Sequence, residues 1–361
     1  MKQHASLVCV FVSQPFVATT VPTELPDSLD DAALIAAESC AAYAKQQQEE
    51  GLSGGGRCRV DFDTTVGDET YTVLKSSTEF MQKFVSALCY ATIPGLRAQK
   101  ETELTRMAQA RAELQQLLKD SEQEQDEQQE DEQQQDEQQQ EDDSEVARRK
   151  DELVAILQGT NREPWKGPVA RIYFPDEGSA ALARRDWEIG VDVPVCCEFA
   201  STGGVRAHDV SKDELVFFFC PQASEAQNVE ELAYEMEQQQ QQLNNKKLLL
   251  VFVNPNLVDM GVTGFGMAGR MLRERLIDPL VQTYYLRTLA WGALTRQWPN
   301  AFAVWQEDED AVGGYRLIST LDRLPSNPEV EDIYDLENSG GEGSQDLLGS
   351  IGDFVNGMMR L

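Results

Sequence analysis

The chain has 361 residues, 41% of them apolar, and a formal charge of −31. That is enough to bury one sizeable core, and the charge is the wrong sign for tracking a phosphate backbone, so nucleic acid is not expected as a partner. Seven cysteines without a CxxC pair fit free thiols in a reducing compartment, and with only His4 and His208 as imidazoles no Cys/His zinc site or other metal centre is expected.

Residues 1–20 carry Lys2 and the apolar patch 7–12 and resemble the remains of a targeting peptide, although a frayed N-terminus reads the same way. Ser28 precedes Leu29, Ala32, Ala33, Ala36, Ala37 and Cys40, whose spacing predicts a capped amphipathic helix. A strand is expected near 58–62. Ser76 with Glu79 then forms a capping-box pattern ahead of Phe80, Phe84 and Leu88, and Pro94-Gly95 ends that helix.

Residues 97–160 read as an insertion. Its flanks have helical spacing (Leu104, Met107, Leu114, Leu118; Val146, Leu153, Ile156, Leu157), but residues 120–143 hold 13 acids, 10 glutamines, one serine and no base. Such a centre has no apolar face and repels itself, which favours a disordered spacer between helical arms. Its 13 acids do not account for the whole charge, so the folded remainder is acidic too.

From residue 169 strands and helices alternate. Strands are predicted at 169–174, 193–199, 214–220 and 248–253, and helices at 179–187 and after Ser224 and Gln227. Cys196 and Cys197, adjacent on a strand, would point to opposite faces. The uninterrupted apolar runs 215–219 and 248–253 indicate strands covered on both sides. Asp278-Pro279 divides the next region into two helices, the second (280–297) apolar around most of its circumference and hence buried. Residues 302–305 and 315–319 read as a closing hairpin. The fold class is therefore α/β: a three-layer, mainly parallel sheet with helices on both faces and a C-terminal hairpin. It occupies one domain at 21–335, and 336–361 is a flexible tail with a short amphipathic stretch around Ile351, Phe354 and Met358.

Candidate functional residues follow from that fold. Three strands end alike, in Phe174-Pro175-Asp176, Cys220-Pro221-Gln222 and Val253-Asn254-Pro255-Asn256. Ligands of open α/β sheets bind outside the carboxyl ends of the strands, so Asp176, Gln222, Asn254 and Asn256 are rim candidates. Arg270 and Arg273, three apart on a helix, could meet an anion together. Residues 264–269 spell GxGxxG, but ten residues separate Val253 from Gly264 and no acidic strand end follows, so no nucleotide cofactor is expected. His208-Asp209 has no nucleophile elbow to serve, and no P-loop, HExxH or EF-hand spacing occurs. No catalytic residue is assigned. No segment approaches the ~20 apolar residues of a bilayer span, so an integral membrane protein is not expected.

Several segments together resemble a chloroplast and cyanobacterial family whose shared domain has no assigned function and which includes the low photosystem II accumulation protein. They are Leu25-Pro26 before the Ala-rich helix, Arg171-Ile172-Tyr173-Phe174-Pro175-Asp176, Leu250-Val251-Phe252-Val253-Asn254-Pro255, Tyr284-Tyr285-Leu286, Trp298-Pro299 with Trp305, and Tyr315-Arg316-Leu317-Ile318 before Pro325-Ser326. The resemblance implies a plastid protein, in the stroma or peripheral to the thylakoid, acting through photosystem assembly factors or subunits as protein partners. It implies a non-enzymatic assembly or scaffold factor. An α/β enzyme or small-ligand binder using the strand rim is the alternative.

Overall fold

Nine strands build one sheet: β1 (Arg57–Phe62), β2 (Val169–Phe174), β3 (Cys197–Ser201), β4 (Asp213–Phe219), β5 (Leu249–Val253), β6 (Val281–Leu289), β7 (Gly292–Gln297), β8 (Phe302–Glu307) and β9 (Tyr315–Leu321). Their order is β3-β2-β4-β5-β1-β6-β7-β8-β9; the first six are parallel, and β6 to β9 form an antiparallel meander. The computed structural model describes residues 25–50, 56–63, 70–127, 136–160, 164–204, 210–242, 248–258 and 267–339.

Strand alternation assigns the two helix layers. On one face Leu215, Phe217 and Phe219 of β4 and Leu249, Val251 and Val253 of β5 pack with α1 (Leu29–Glu49), α2 (Thr70–Thr92) and α5 (Glu177–Asp186). On the other, Val216, Phe218, Leu250 and Phe252 meet α6 (Ala226–Gln242) through Val229, Leu232 and Met236, and Leu276 of the turn after α7 (Met267–Leu272). Helix α8 (Asn327–Asn338) covers the meander with Val330 against Leu294, Phe302 and Val304. The sheet is thus a three-layer α/β core with both faces of its central strands dry, as the continuous apolar runs require. Ser28 caps α1 as expected, its Oγ accepting from the Asp31 amide at 3.1 Å. No helix among the described residues is long and apolar enough to cross a membrane.

Several expectations are corrected. Residues 280–297 are the β6–β7 hairpin, not a buried helix. Tyr284, Tyr285 and Leu289 have helical spacing, but Tyr284 pairs across strands with Val60 of β1 and Gln297 of β7, and Gly292 lies so close to β8 that a Cβ would come 1.9 Å from the Trp305 carbonyl. Helix α2 already begins at Thr70, so Ser76 is inside it and does not cap it. The cap ahead of α6 is set by Glu225, whose carboxylate accepts from the Gln222 amide at 2.7 Å, rather than by Ser224 and Gln227. β3 starts at Cys197, later than expected, and helix α8 runs from the end of the expected domain into the first residues of the expected tail.

The insertion contains α3 (Leu96–Glu127) and α4 (Asp136–Leu157), so helix continues into both ends of the acidic tract. Glu and Gln are good helix formers, and the arms support each other: Arg149 donates to Glu113 at 2.7 and 3.0 Å. The expected targeting remnant at 1–20, His208-Asp209, Gly264 and Gly266, and the amphipathic stretch around Ile351 lie outside the described residues.

Candidate functional site

On β1 the side chains alternate. Cys58, Val60 and Phe62 enter the core under α1 and α2, which directs Arg59 and Asp61 to the opposite face. There α6 and α7 cover β2, β4 and β5, while α8 covers the meander, and the helices part above the ends of β1 and β6. A cavity of about 600 Å³ fills the gap, lined by Arg59, Asp61 and Asp63, by Asn254 and Pro255, and by Tyr285, Leu286, Arg287 and Thr288, with Leu324 at its edge. Arg59 Nε donates to Asp61 at 2.6 Å and Gln282 donates to the same carboxylate at 2.9 Å. Asp63 accepts from the Thr288 hydroxyl at 2.6 Å, and Arg287 donates to Asn327 at 2.6 Å. Burial raises the Tyr285 phenol above its ordinary range. The crevice therefore presents carboxylates, guanidinium groups and a phenol at the carboxyl ends of parallel strands, where α/β proteins bind small polar ligands.

Four predicted rim residues lie at these strand ends, but their hydrogen bonds hold the scaffold. Asp176 caps α5, accepting from the Ser179 amide at 2.9 Å and its hydroxyl at 2.7 Å, which holds its carboxyl below the usual range. Gln222 accepts from Asn256 Nδ2 at 3.2 Å, tying the chain after β4 to the chain after β5. Asn254 accepts from the Phe62 amide at 2.8 Å and donates to its carbonyl at 3.1 Å, clamping β5 to β1. Of the four, only Asn254 lines the cavity. Arg270 pairs with Glu274 at 2.9 Å, and exposed Arg273 belongs to a π-turn, Arg273–Ile277. The Arg275 carbonyl of that turn is held by Arg57 at the amino end of β1, so the structure does not bring the arginines to the rim.

The cavity residues that sequence reasoning missed had a signal. Arg59-Val60-Asp61-Phe62-Asp63 alternates charged with apolar, which on a strand puts the charges on one side. Tyr285, Arg287 and Thr288 were hidden by the helix assignment.

Two further features stand apart from this crevice. A groove of about 920 Å³ runs between α6 and the α7 segment, with Tyr234, Met271 and Leu272 as apolar lining and Arg57, Glu230 and Arg275 among its charges. The six described cysteines are free thiols. Cys89, Cys196 and Cys197 are buried, with their Sγ atoms within 4.8 Å of one another. Cys196 precedes β3, so strand alternation does not separate it from Cys197, and the expected opposite orientation is not found. Contact with the Cys197 and Cys89 thiols lowers the Cys196 thiol below its ordinary range, while burial pushes the Cys89 and Cys197 thiols up.

A mixed sheet with six parallel strands, helix layers on both faces and a polar crevice at the strand ends defines an α/β protein. The chain belongs to the family described as Domain of unknown function (DUF1995), whose model matches residues 26–332. No curated protein and no solved structure gives a significant match.

Proposed function

We propose that the protein is a non-enzymatic assembly or scaffold factor of a plastid, acting by protein contacts on a photosynthetic complex such as photosystem II. The plastid setting and the client follow from the resemblance carried by the segments between Leu25 and Ser326. The observation that carries the contact mode is the groove beside α6. Tyr234 is 59% and Met271 42% exposed beside it, and aromatic, Met and Arg side chains are those enriched at protein interfaces. The occupant that fits is an amphipathic partner segment with apolar anchors and basic flanks, since the chain's charge of −31 attracts a base-rich partner. Capture from photosynthetic extracts followed by mass spectrometry tests this. Wild type should retain photosystem subunits or assembly factors, and the double variant Tyr234→Glu, Met271→Glu should lose them with unchanged melting. Loss of the gene should lower the complex while its transcripts stay constant. Equal capture by both proteins, or normal complex levels in the knockout, would sink the proposal.

A second reading, a small-ligand binder, is favoured by the crevice over β1 and β6. Non-glycine residues with positive φ end both β4 (Cys220, 46°) and β5 (Asn254, 44°), and such backbone outliers concentrate at functional sites. Arg287 suits an anionic group on the ligand, and Asp61 suits hydroxyl or ammonium groups. Thermal-shift screening of small hydroxy and amino acids should give a stabilising hit that Arg287→Ala removes. A hit indifferent to Arg287 would disprove binding there.

A further inference from the structure

Cys89, Cys196 and Cys197 come from three separate places in the fold: helix α2, the loop before β3, and the first residue of β3. Their relative positions are fixed by backbone as well as packing. Ser86 of α2 donates to the Asp192 carbonyl at 3.2 Å, pinning the helix to that loop, and the Ala170 amide of β2 donates to the Cys196 carbonyl at 2.9 Å. We propose that these three sulfurs form a binding site for a thiophilic d10 cation, copper(I) in particular. Three sulfurs about 2.3 Å from a shared metal in a plane lie about 4 Å apart. Side chains already within 4.8 Å of one another need only sub-ångström closure to reach that geometry.

The donor set selects the metal. All three ligands are soft sulfur, which favours copper(I), zinc or an iron–sulfur cluster over hard cations. Structural zinc takes four ligands and such clusters four cysteines. The group found among the described residues has three, each at most 2% exposed, so water is poorly placed to complete a tetrahedron. A trigonal site is what remains, and copper(I) accepts it. On binding, each coordinating thiol releases its proton to solvent and the metal keeps its oxidation state. A rigid three-point frame of helix, loop and strand gives the preorganisation that a tight site needs.

The test uses the full chain, reduced and kept under argon, titrated with copper(I) against a chromogenic copper(I) chelator. We expect one copper per chain, an X-ray absorption spectrum with three sulfur neighbours and no lighter ligand, and a higher melting temperature. Cys89→Ser and Cys196→Ser should each weaken binding at least tenfold. Cys58→Ser should not, although Cys58 and Cys40 form a second buried thiol pair 3.7 Å apart. Where a serine variant fails to fold by circular dichroism, the wild-type spectrum decides, because the Cys40–Cys58 pair offers only two sulfurs. Failure to compete with the chelator, a two-sulfur spectrum, binding retained in folded Cys196→Ser, or preference for zinc(II) with a mixed shell would each overturn the assignment.

Discussion

Asn254 follows β5 at φ 44° and spends both ends of its amide on Phe62, joining β5 to β1 just past Val60 and Val253, the last pair of their ladder. Two substitutions separate these contributions. Asn254→Gly keeps the left-handed backbone free of strain but loses the paired hydrogen bonds, about 1 kcal/mol each. Asn254→Ala loses the bonds and adds about 1 kcal/mol of backbone strain, so it should unfold at lower urea than the glycine variant. Equal midpoints would mean that the backbone is not held in that region. Glu329 gives a pH-dependent counterpart. Its carboxylate is lowered from the ordinary 4.5 to about 2, first by Arg323 and then by the Ser326 amide it accepts from at 2.7 Å. A depressed folded pKa stabilises above the unfolded value and loses that contribution as pH falls through the folded one. The capping interaction should therefore be complete above pH 4.5 and fade toward pH 2. Its worth is about 1 kcal/mol, modest because the side chain is partly solvated. In Glu329→Gln, stability should be flatter with pH across that window; an unchanged slope would show that the pair contributes nothing.

At the scale of elements, what was legible in the sequence followed buried periodicity. The runs 215–219 and 248–253 have one physical explanation, strands dry on both sides, and they became β4 and β5. The alanine face after Ser28 likewise became α1, buried through Ala33, Ala36 and Cys40. The β6–β7 hairpin was illegible because Tyr284, Tyr285 and Leu289 satisfy helical spacing by accident, while the strand evidence is a contact made at long range. Gly292 shows that contact. With the Trp305 carbonyl only 1.9 Å from where a Cβ would sit, Gly292→Ala must displace β7 from β8, and a backbone obstacle cannot rotate away. We expect Gly292→Ala to cost about 2 kcal/mol or more, measured by denaturant unfolding, with β7 and β8 amides losing exchange protection. A near-neutral variant would show that the two strands are not so closely paired. The same cause hid much of the site. The rim candidates were read from strand ends, which local chemistry marks with Pro, Asn and Asp, whereas the cavity depends on where two helix layers part and the thiol triad on three distant segments meeting.

For the whole molecule the decisive feature is how charge is distributed relative to the core. The Glu113–Arg149 ion pair sets the register of the antiparallel α3–α4 hairpin. Continuing that register places residue 120 opposite residue 142, so the acidic tract can be cut out and the arms closed by a short Gly/Ser turn with little shift of either helix. The tract contributes no apolar face, and its 13 carboxylates are a large part of the self-repulsion implied by a net charge of −31. Deleting 120–143 should therefore leave one cooperative transition with a melting temperature within about 3 °C of wild type, or slightly above it at low salt, since about 1 kcal/mol moves a domain of this size by only a few degrees. Differential scanning calorimetry at low and high ionic strength checks both parts. A fall of more than about 5 °C, or a split transition, would show that the tract belongs to the cooperative fold. The same variant bears on function: the proposed groove lies beside α6, not on the insertion, so partner capture should survive the deletion. Loss of capture with intact melting would move the interface onto the helical hairpin and away from Tyr234 and Met271.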